Sequence, residues 1–271
     1  MIAFTKMNGA GNDFVVIDNR DLSHSLDGKT IERLCDRNRG VGADGLLMVE
    51  PPQEGSGADY TMRYYNADGG EAEMCGNGAR CFARFVNERI HEGSLDAVSF
   101  TTLAGLISAT FPEGDVCINL SEPFDLAMNL ALEVEGEETK VHSVNTGVPH
   151  AVVVVDGVED VDLVGVGSAL RYHQHFAPAG TNANVMEVRS PGSIAIRTYE
   201  RGVEDETLAC GTGMVANAIV HNQISGTPSP IEVLVKGGDT LKVGFEREGD
   251  SYKNVTLTGP ADLVFDGEIE I

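Results

Sequence analysis

The sequence predicts an α+β protein of two similar halves, and a repeated phrase, recurring landmarks and many short strands around few helices carry that prediction. The phrase reads Met74-Cys75-Gly76-Asn77-Gly78-Ala79 and again Ala209-Cys210-Gly211-Thr212-Gly213-Met214. Each copy runs into a helical apolar pattern, with Cys81, Phe82, Phe85 and Val86 in the first and Val215, Ala218, Ile219 and His221 in the second. Other landmarks recur in the same order. Gly11-Asn12-Asp13-Phe14 leads into a strand, as Gly147-Val148-Pro149-His150 does later. Gly42-Ala43-Asp44-Gly45 is matched by Gly180-Thr181-Asn182-Ala183. Gly11 precedes Cys75 by 64 residues and Gly147 precedes Cys210 by 63.

β-Rich runs fill the first half at residues 15–18, 46–49, 60–66, 98–102, 105–111 and 116–120. The second half has them at 140–144, 151–156, 184–186, 194–199, 231–236, 241–245 and 252–257. Helical patterns are few, at 31–37, 79–90, 163–172 and 214–223. The halves join near Ser121-Glu122-Pro123, which gives one domain over 1–120 with a C-terminal return at 260–271 and a second over 121–259. Residues 51–57, Pro-Pro-Gln-Glu-Gly-Ser-Gly, read as an exposed loop.

Composition narrows the function. A net charge of −23 excludes nucleic acid and anionic membrane as partners. No apolar run approaches the ~20 residues that span a bilayer, and the N-terminus lacks the layout of a secretory signal. Five cysteines, an odd number without a disulfide framework, point to a reducing cytoplasm. Cys35, Cys81 and Cys117 lie in apolar patterns and read as small core residues. Zinc is disfavoured by the absence of any Cys-x-x-Cys, and His173-Gln174-His175 has no clear third ligand. Gly40-Val41-Gly42-Ala43-Asp44-Gly45 matches a dinucleotide fingerprint in letters only, because it follows a helix and enters a strand. None of the six lysines has the setting of a pyridoxal phosphate Schiff base.

Chemistry gathers at the two cysteines. A thiol at a helix mouth meets unpaired backbone N–H groups and the positive end of the dipole, which favour thiolate. The neighbouring glycines let those N–H groups approach a bound carboxylate. Two such mouths, one from each half, suit removal of a proton from one face of a small acid and return of a proton to the other. Asn12, Asn66 and Asn182 can serve carboxylate or ammonium, and Glu200-Arg201 offers one partner for each. His150 could set a cysteine's charge.

These residues resemble the diaminopimelate epimerase family. The resemblance rests on Asn66-Ala67-Asp68-Gly69, the phrase from Met74 through Cys81, and Glu200-Arg201-Gly202 with Ala209-Cys210-Gly211-Thr212-Gly213. Gly9-Ala10-Gly11-Asn12-Asp13-Phe14, Pro149-His150 and Gly180-Thr181-Asn182 agree, so it spans the chain. It implies two pseudo-symmetric domains, each a β-barrel-like sheet around a central helix, in a homodimer that uses no cofactor and no metal. It implies conversion of LL-2,6-diaminopimelate to the meso form, a step in lysine biosynthesis. Cys75 and Cys210 would be the acid/base pair, with His150 and Glu200 tuning their protonation. Asn12, Asn66, Asn182, Glu200 and Arg201 would hold the amino-acid substrate, and Gly76, Asn77, Gly211 and Thr212 would grip the reacting carboxylate. Two positions depart from the pattern: Val148 stands where many members have Asn, and Gly45 where some have Gln. An epimerase of another amino acid, of histidine or hydroxyproline type, is the nearest alternative. A non-catalytic amino-acid-binding protein is the alternative from another class, and it would not need two matched thiols.

Overall fold

Phe14, Val15, Val16 and Ile17 are all buried, a run without alternation that a strand shows only when both its faces are covered. Leu46–Val49 and Ala151–Val153 behave the same way, and these strands sit at the centre of the architecture. A computed structural model describes residues 1–270 and divides the chain into two compact units. One is Met1–Asn119 with the segment from Gly259 onward, and the other is Leu120–Thr258.

The first unit runs β1 (Ile2–Gly9), β2 (Asn12–Asp18), α1 (Gly28–Cys35), β3 (Gly45–Glu50), β4 (Tyr60–Asn66), α2 (Gly76–Phe85), β5 (Ala97–Thr102), β6 (Gly105–Thr110) and β7 (Val116–Asn119). The second runs β8 (Phe124–Val134), β9 (Glu137–Asn145), β10 (Pro149–Val154), α3 (Leu163–Arg171), β11 (Asn182–Ser190), β12 (Ser193–Glu200), β13 (Asp205–Thr207), α4 (Gly211–Ser225), β14 (Ile231–Leu234), β15 (Thr240–Glu248) and β16 (Ser251–Gly259). β17 (Asp262–Ile269) returns to the first unit.

Strand pairing makes the duplication explicit. The first sheet is ordered β17-β1-β2-β3-β4-β5-β6-β7, with β2–β3 and β4–β5 parallel and every other pair antiparallel. The second is β8-β9-β10-β11-β12-β14-β15-β16, with β10–β11 and β12–β14 parallel at the same places. β13 adds a short antiparallel pairing to β12. The architecture is α+β, as the sequence predicts.

In each unit one helix is enclosed by the sheet. α2 touches β1–β4, β6, β7 and β17, so the sheet must curl around it. Its residues from Asn77 through Ala83 are buried on every side. α4 is likewise buried from Gly213 through Asn222 and touches β9–β12, β14 and β15. A helix apolar all round belongs inside a core, whereas a surface helix shows one stripe. α1 and α3 show that stripe. Ile31, Leu34 and Cys35 pack on Val15, Ile17, Leu46 and Met48, and Leu163 and Leu170 pack on Ala151, Val153, Ala183 and Val185.

All four helical patterns form helices, the second continuing into one π-turn over Val86–Ile90. β1, β8, β17 and the three-residue β13 have no counterpart among the β-rich runs of the sequence. β8 breaks its alternation twice, with register shifts between Phe124 and Ala127 and between Ala127 and Leu130. Asp125 and Asn129 there adopt positive φ of 52° and 59°, bulge geometry that erases the two-residue period. β17 contributes few buried apolar side chains, so its pattern is weak.

The pairing of β1 with β17 sets Gly267 against Phe4, where an added Cβ would lie 2.7 Å from the ring. Gly267→Val should therefore overpack the edge and cost about 1–3 kcal/mol. A thermal melt within a degree of the unsubstituted protein would contradict this packing.

Candidate active site

α1 and α3 begin in the ordinary way, with an aspartate accepting a bond from the first turn. Asp27 accepts from the N–H of Thr30 at 2.9 Å, and Asp162 from that of Gly165 at 3.3 Å. α2 and α4 begin instead at Cys75 and Cys210, each extended at the N-cap, with no side-chain cap. The two cysteine carbonyls accept the first helical bonds, from Ala79 at 2.8 Å and Met214 at 2.9 Å. The N–H groups of Gly76, Asn77 and Gly78, and of Gly211, Thr212 and Gly213, thus occupy the turn that has no acceptor within a helix. Cys75 is half-buried and Cys210 is buried. A Cβ on Gly213 would lie 3.3 Å from Sγ of Cys210 and 2.9 Å from Oδ1 of Asn184, so glycine makes room for the thiol.

In the first unit the helix mouth is tied to a polar chain. Asn77 donates from Nδ2 to Oδ1 of Asn12 at 2.7 Å, and its own Oδ1 accepts from the fully buried Arg80 at 2.8 Å. Asn12 passes the chain on, donating to Asp44 at 2.9 Å. Arg37 then bridges Asp44 and Asp13 at 2.8 Å each, and Lys6 reaches Asp13 at 2.6 Å. Burial pushes the Asp13 carboxyl up, but Arg37 and Lys6 outweigh it and hold it at about 2. Asn66 ends β4 exposed, accepting from the Tyr64 hydroxyl at 2.8 Å. A Cβ on Gly45 would come within 2.8 Å of the Tyr64 ring and 2.6 Å of the Tyr65 carbonyl. The Tyr64 ring therefore fills the space a glutamine at this position would need.

In the second unit His150 is fully buried. Burial, with the charge of Arg201, lowers its pKa to about 3, so the ring is neutral. Its Nε2 lies 2.9 Å from the Thr212 hydroxyl, and that hydroxyl lies 3.5 Å from Sγ of Cys210. Thr212 therefore stands between histidine and cysteine. Asn182 accepts the backbone N–H of Arg201 at 2.7 Å and so braces the end of β12. Arg201 donates to the Ala179 carbonyl at 3.2 Å, and among the described residues it forms no ion pair with an Asp or Glu. Burial raises the Glu200 carboxyl above its ordinary value. His173 accepts from the N–H of His175 and closes a 3₁₀ turn. Cys35 and Cys81 are buried, their thiols pushed up to about 11 and about 12, while Cys117 is half-buried.

Within the first unit Asn12, Asn77, Gly76 and Cys75 are brought together, and within the second Cys210, Thr212, His150 and Asn182. Sequence reasoning missed Asp44, Arg37 and Arg80 on one side and Asn184 and Thr198 on the other. The only sequence signal for the latter two was a polar residue inside an otherwise apolar strand.

A family model described as diaminopimelate epimerase matches residues 4–119 and 142–264. Among curated relatives, the diaminopimelate epimerase of Aquifex aeolicus is 42% identical over 98% of this chain and 97% of its own. That of Archaeoglobus fulgidus is 40% identical over 100% and 97%. Among solved structures, a Bacillus anthracis phenazine biosynthesis protein of the PhzF family matches with a TM-score of 0.71 at 16% identity, covering 100% of this chain and 99% of its own. An Agrobacterium vitis hydroxyproline epimerase matches with a TM-score of 0.71 at 18% identity, covering 99% and 90%. At such identities the structural likeness concerns the fold alone.

The neutral, buried His150 makes stability depend on pH. An unfolded imidazole gains its proton as pH falls through about 6.5, the folded one only near 3. The unfolded chain thus binds more protons in that window, so stability is full above about 6.5 and declines as pH falls. Melting temperatures of His150→Gln should fall less steeply than those of the unsubstituted protein between about pH 6.5 and pH 5. Parallel slopes would mean that the ring is not held neutral.

Proposed function

The chain belongs to the diaminopimelate epimerase family, and from that premise we propose that it interconverts LL- and meso-2,6-diaminopimelate by a two-base mechanism, without a cofactor, on Cys75 and Cys210. One observation supports this more than any other. Of the four α-helices described, only the two enclosed ones begin at cysteine, at matching places in sheets of the same strand order.

One cysteine, as thiolate, removes the α-proton, and the other, as thiol, delivers a proton to the opposite face. The α-hydrogen is a very weak acid, so the carbanion must be stabilised as it forms. The N–H groups of Gly76, Asn77, Gly211 and Thr212 take up the growing charge of the carboxylate, and they are already oriented before the reaction. The pair must hold one proton between two sulfurs, so the thiols titrate as a unit.

The second head of the substrate is an amino acid that is not inverted. Arg201, with no acidic partner among the described residues, presents its fork to the distal carboxylate, and Glu200 takes the distal ammonium. The ammonium also offsets the burial of that carboxylate. Asn12, Asn66 and Asn182 set the angle, and His150 and Glu200 bear on the protonation of the thiols. The protein works in the reducing cytoplasm that thiol chemistry requires, as the homodimer the resemblance implies. No helix among the described residues is long and apolar enough to cross a membrane.

Exchange of the α-proton in heavy water, across a panel of amino acids, tests the reading. LL-diaminopimelate should acquire deuterium, while lysine and alanine should be poor substrates. Faster exchange with a simple amino acid would leave only fold and mechanism standing. Cys75→Ala and Cys210→Ala should each abolish epimerisation with the fold intact, and near-normal turnover in either would sink the two-base mechanism. Arg201→Lys keeps the charge but loses the fork, and should lower kcat/KM by about tenfold or more, equivalent to about 1.5–3 kcal/mol.

A further inference from the structure

The hydrogen bonds behind Cys210 take their direction from a backbone carbonyl. The Ala151 carbonyl can only accept, and it takes a bond from Nδ2 of Asn184 at 2.9 Å. Oδ1 of Asn184 therefore faces Thr198, whose hydroxyl donates to it at 2.9 Å. The same Nδ2 lies 3.2 Å from Nδ1 of His150. An amide nitrogen has nothing to accept with, so Nδ1 of the ring must be the acceptor. In a neutral imidazole the proton then sits on Nε2. Nε2–H points to the Thr212 hydroxyl at 2.9 Å, and Nδ2 of Asn182, itself a donor 3.5 Å from Nε2, gives its hydrogen to the Pro149 carbonyl at 3.4 Å instead. With its oxygen accepting from histidine, Thr212 has its hydrogen to give, and the sulfur of Cys210 lies 3.5 Å away.

We propose that Thr212 is a positioning residue whose hydroxyl hydrogen is turned onto Cys210 by Asn184 and His150, making Cys210 the thiolate of the resting pair. The inference rests on the reading that Cys210 is one of the two proton carriers, and it adds which carrier is deprotonated. A thiolate is the better acceptor, so a fixed donor selects it. Reversal would need a proton on Nδ1, against the Asn184 amide. Arg201 opposes a charge on His150, which keeps the ring in the neutral form the bond pattern requires.

The first unit carries different residues in the matching places. In strand register Phe14 lies beside Gly45, as His150 lies beside Asn182, so a phenyl ring stands where the second unit has imidazole. Asn77, two residues past Cys75, is committed to Asn12 and Arg80 instead.

The test reads Cys210 directly. Iodoacetamide labelling is followed by peptide mass across pH in a Cys75→Ala background, with and without Thr212→Val or Thr212→Ser. Valine should raise the midpoint of Cys210 labelling by about one unit, a roughly tenfold loss of rate below it. Serine, which keeps the hydroxyl, should leave it within a few tenths. An unchanged midpoint in Thr212→Val overturns the proposal. Nitrogen-15 spectra of the unsubstituted protein give an arm that needs no variant, and should show His150 protonated at Nε2 and bare at Nδ1. The opposite tautomer also overturns it. Neither arm uses substrate, so failure here leaves the epimerase reading to stand or fall on α-proton exchange.

Discussion

A helix sheathed in sheet on every side satisfies its own interior but not its beginning, where the first turn of N–H groups finds no carbonyl behind it. In α1 and α3 an aspartate solves the problem at the surface. In α2 and α4 the capping position is a cysteine that supplies no cap, a choice that typically costs about 1 kcal/mol per helix. Much else follows from how those two helices begin. The glycines of Cys-Gly-X-Gly keep the approach open, and the curled sheets keep the helices dry.

The two halves share a strand order but not a chemistry. Matching rows of the two sheets carry Phe14 and Gly45 in one unit and His150 and Asn182 in the other. Around Cys75 the support is a network of charge, from Arg80 through Asn77 and Asn12 to Asp44, Arg37 and Asp13. Around Cys210 it is a line of neutral hydrogen-bonding groups. The two environments differ in kind.

Much of this was legible in the chain. The enclosed helices announced themselves by apolar residues following Cys-Gly-X-Gly, and the central strands by β-rich runs such as residues 15–18. What stayed hidden had physical causes. β8 lost its alternation to bulges at Asp125 and Asn129, and β17 buries too little to show a pattern. The direction of the bonds behind Cys210 depended on one backbone carbonyl, Ala151, to which no sequence motif points. No pattern in the sequence showed that the Asp44 carboxylate fixes Asn12. The displacement of a glutamine by the Tyr64 ring could not be seen without the register that places Gly45 beside Asn66.

The eighth strand of each sheet is supplied across the duplication. β8 follows β7 in sequence yet opens the second sheet, and β17 follows β16 yet borders β1. Every strand of the second unit therefore lies within one continuous stretch of chain, while the first unit pairs Ile2 with Ile269. On a ribosome, where domains ordinarily form from the N-terminus onward, this chain reverses the order. Its opening 119 residues must wait, with one edge of the sheet unpaired, until the last strand has left the exit tunnel, and the half that is made second can be finished first.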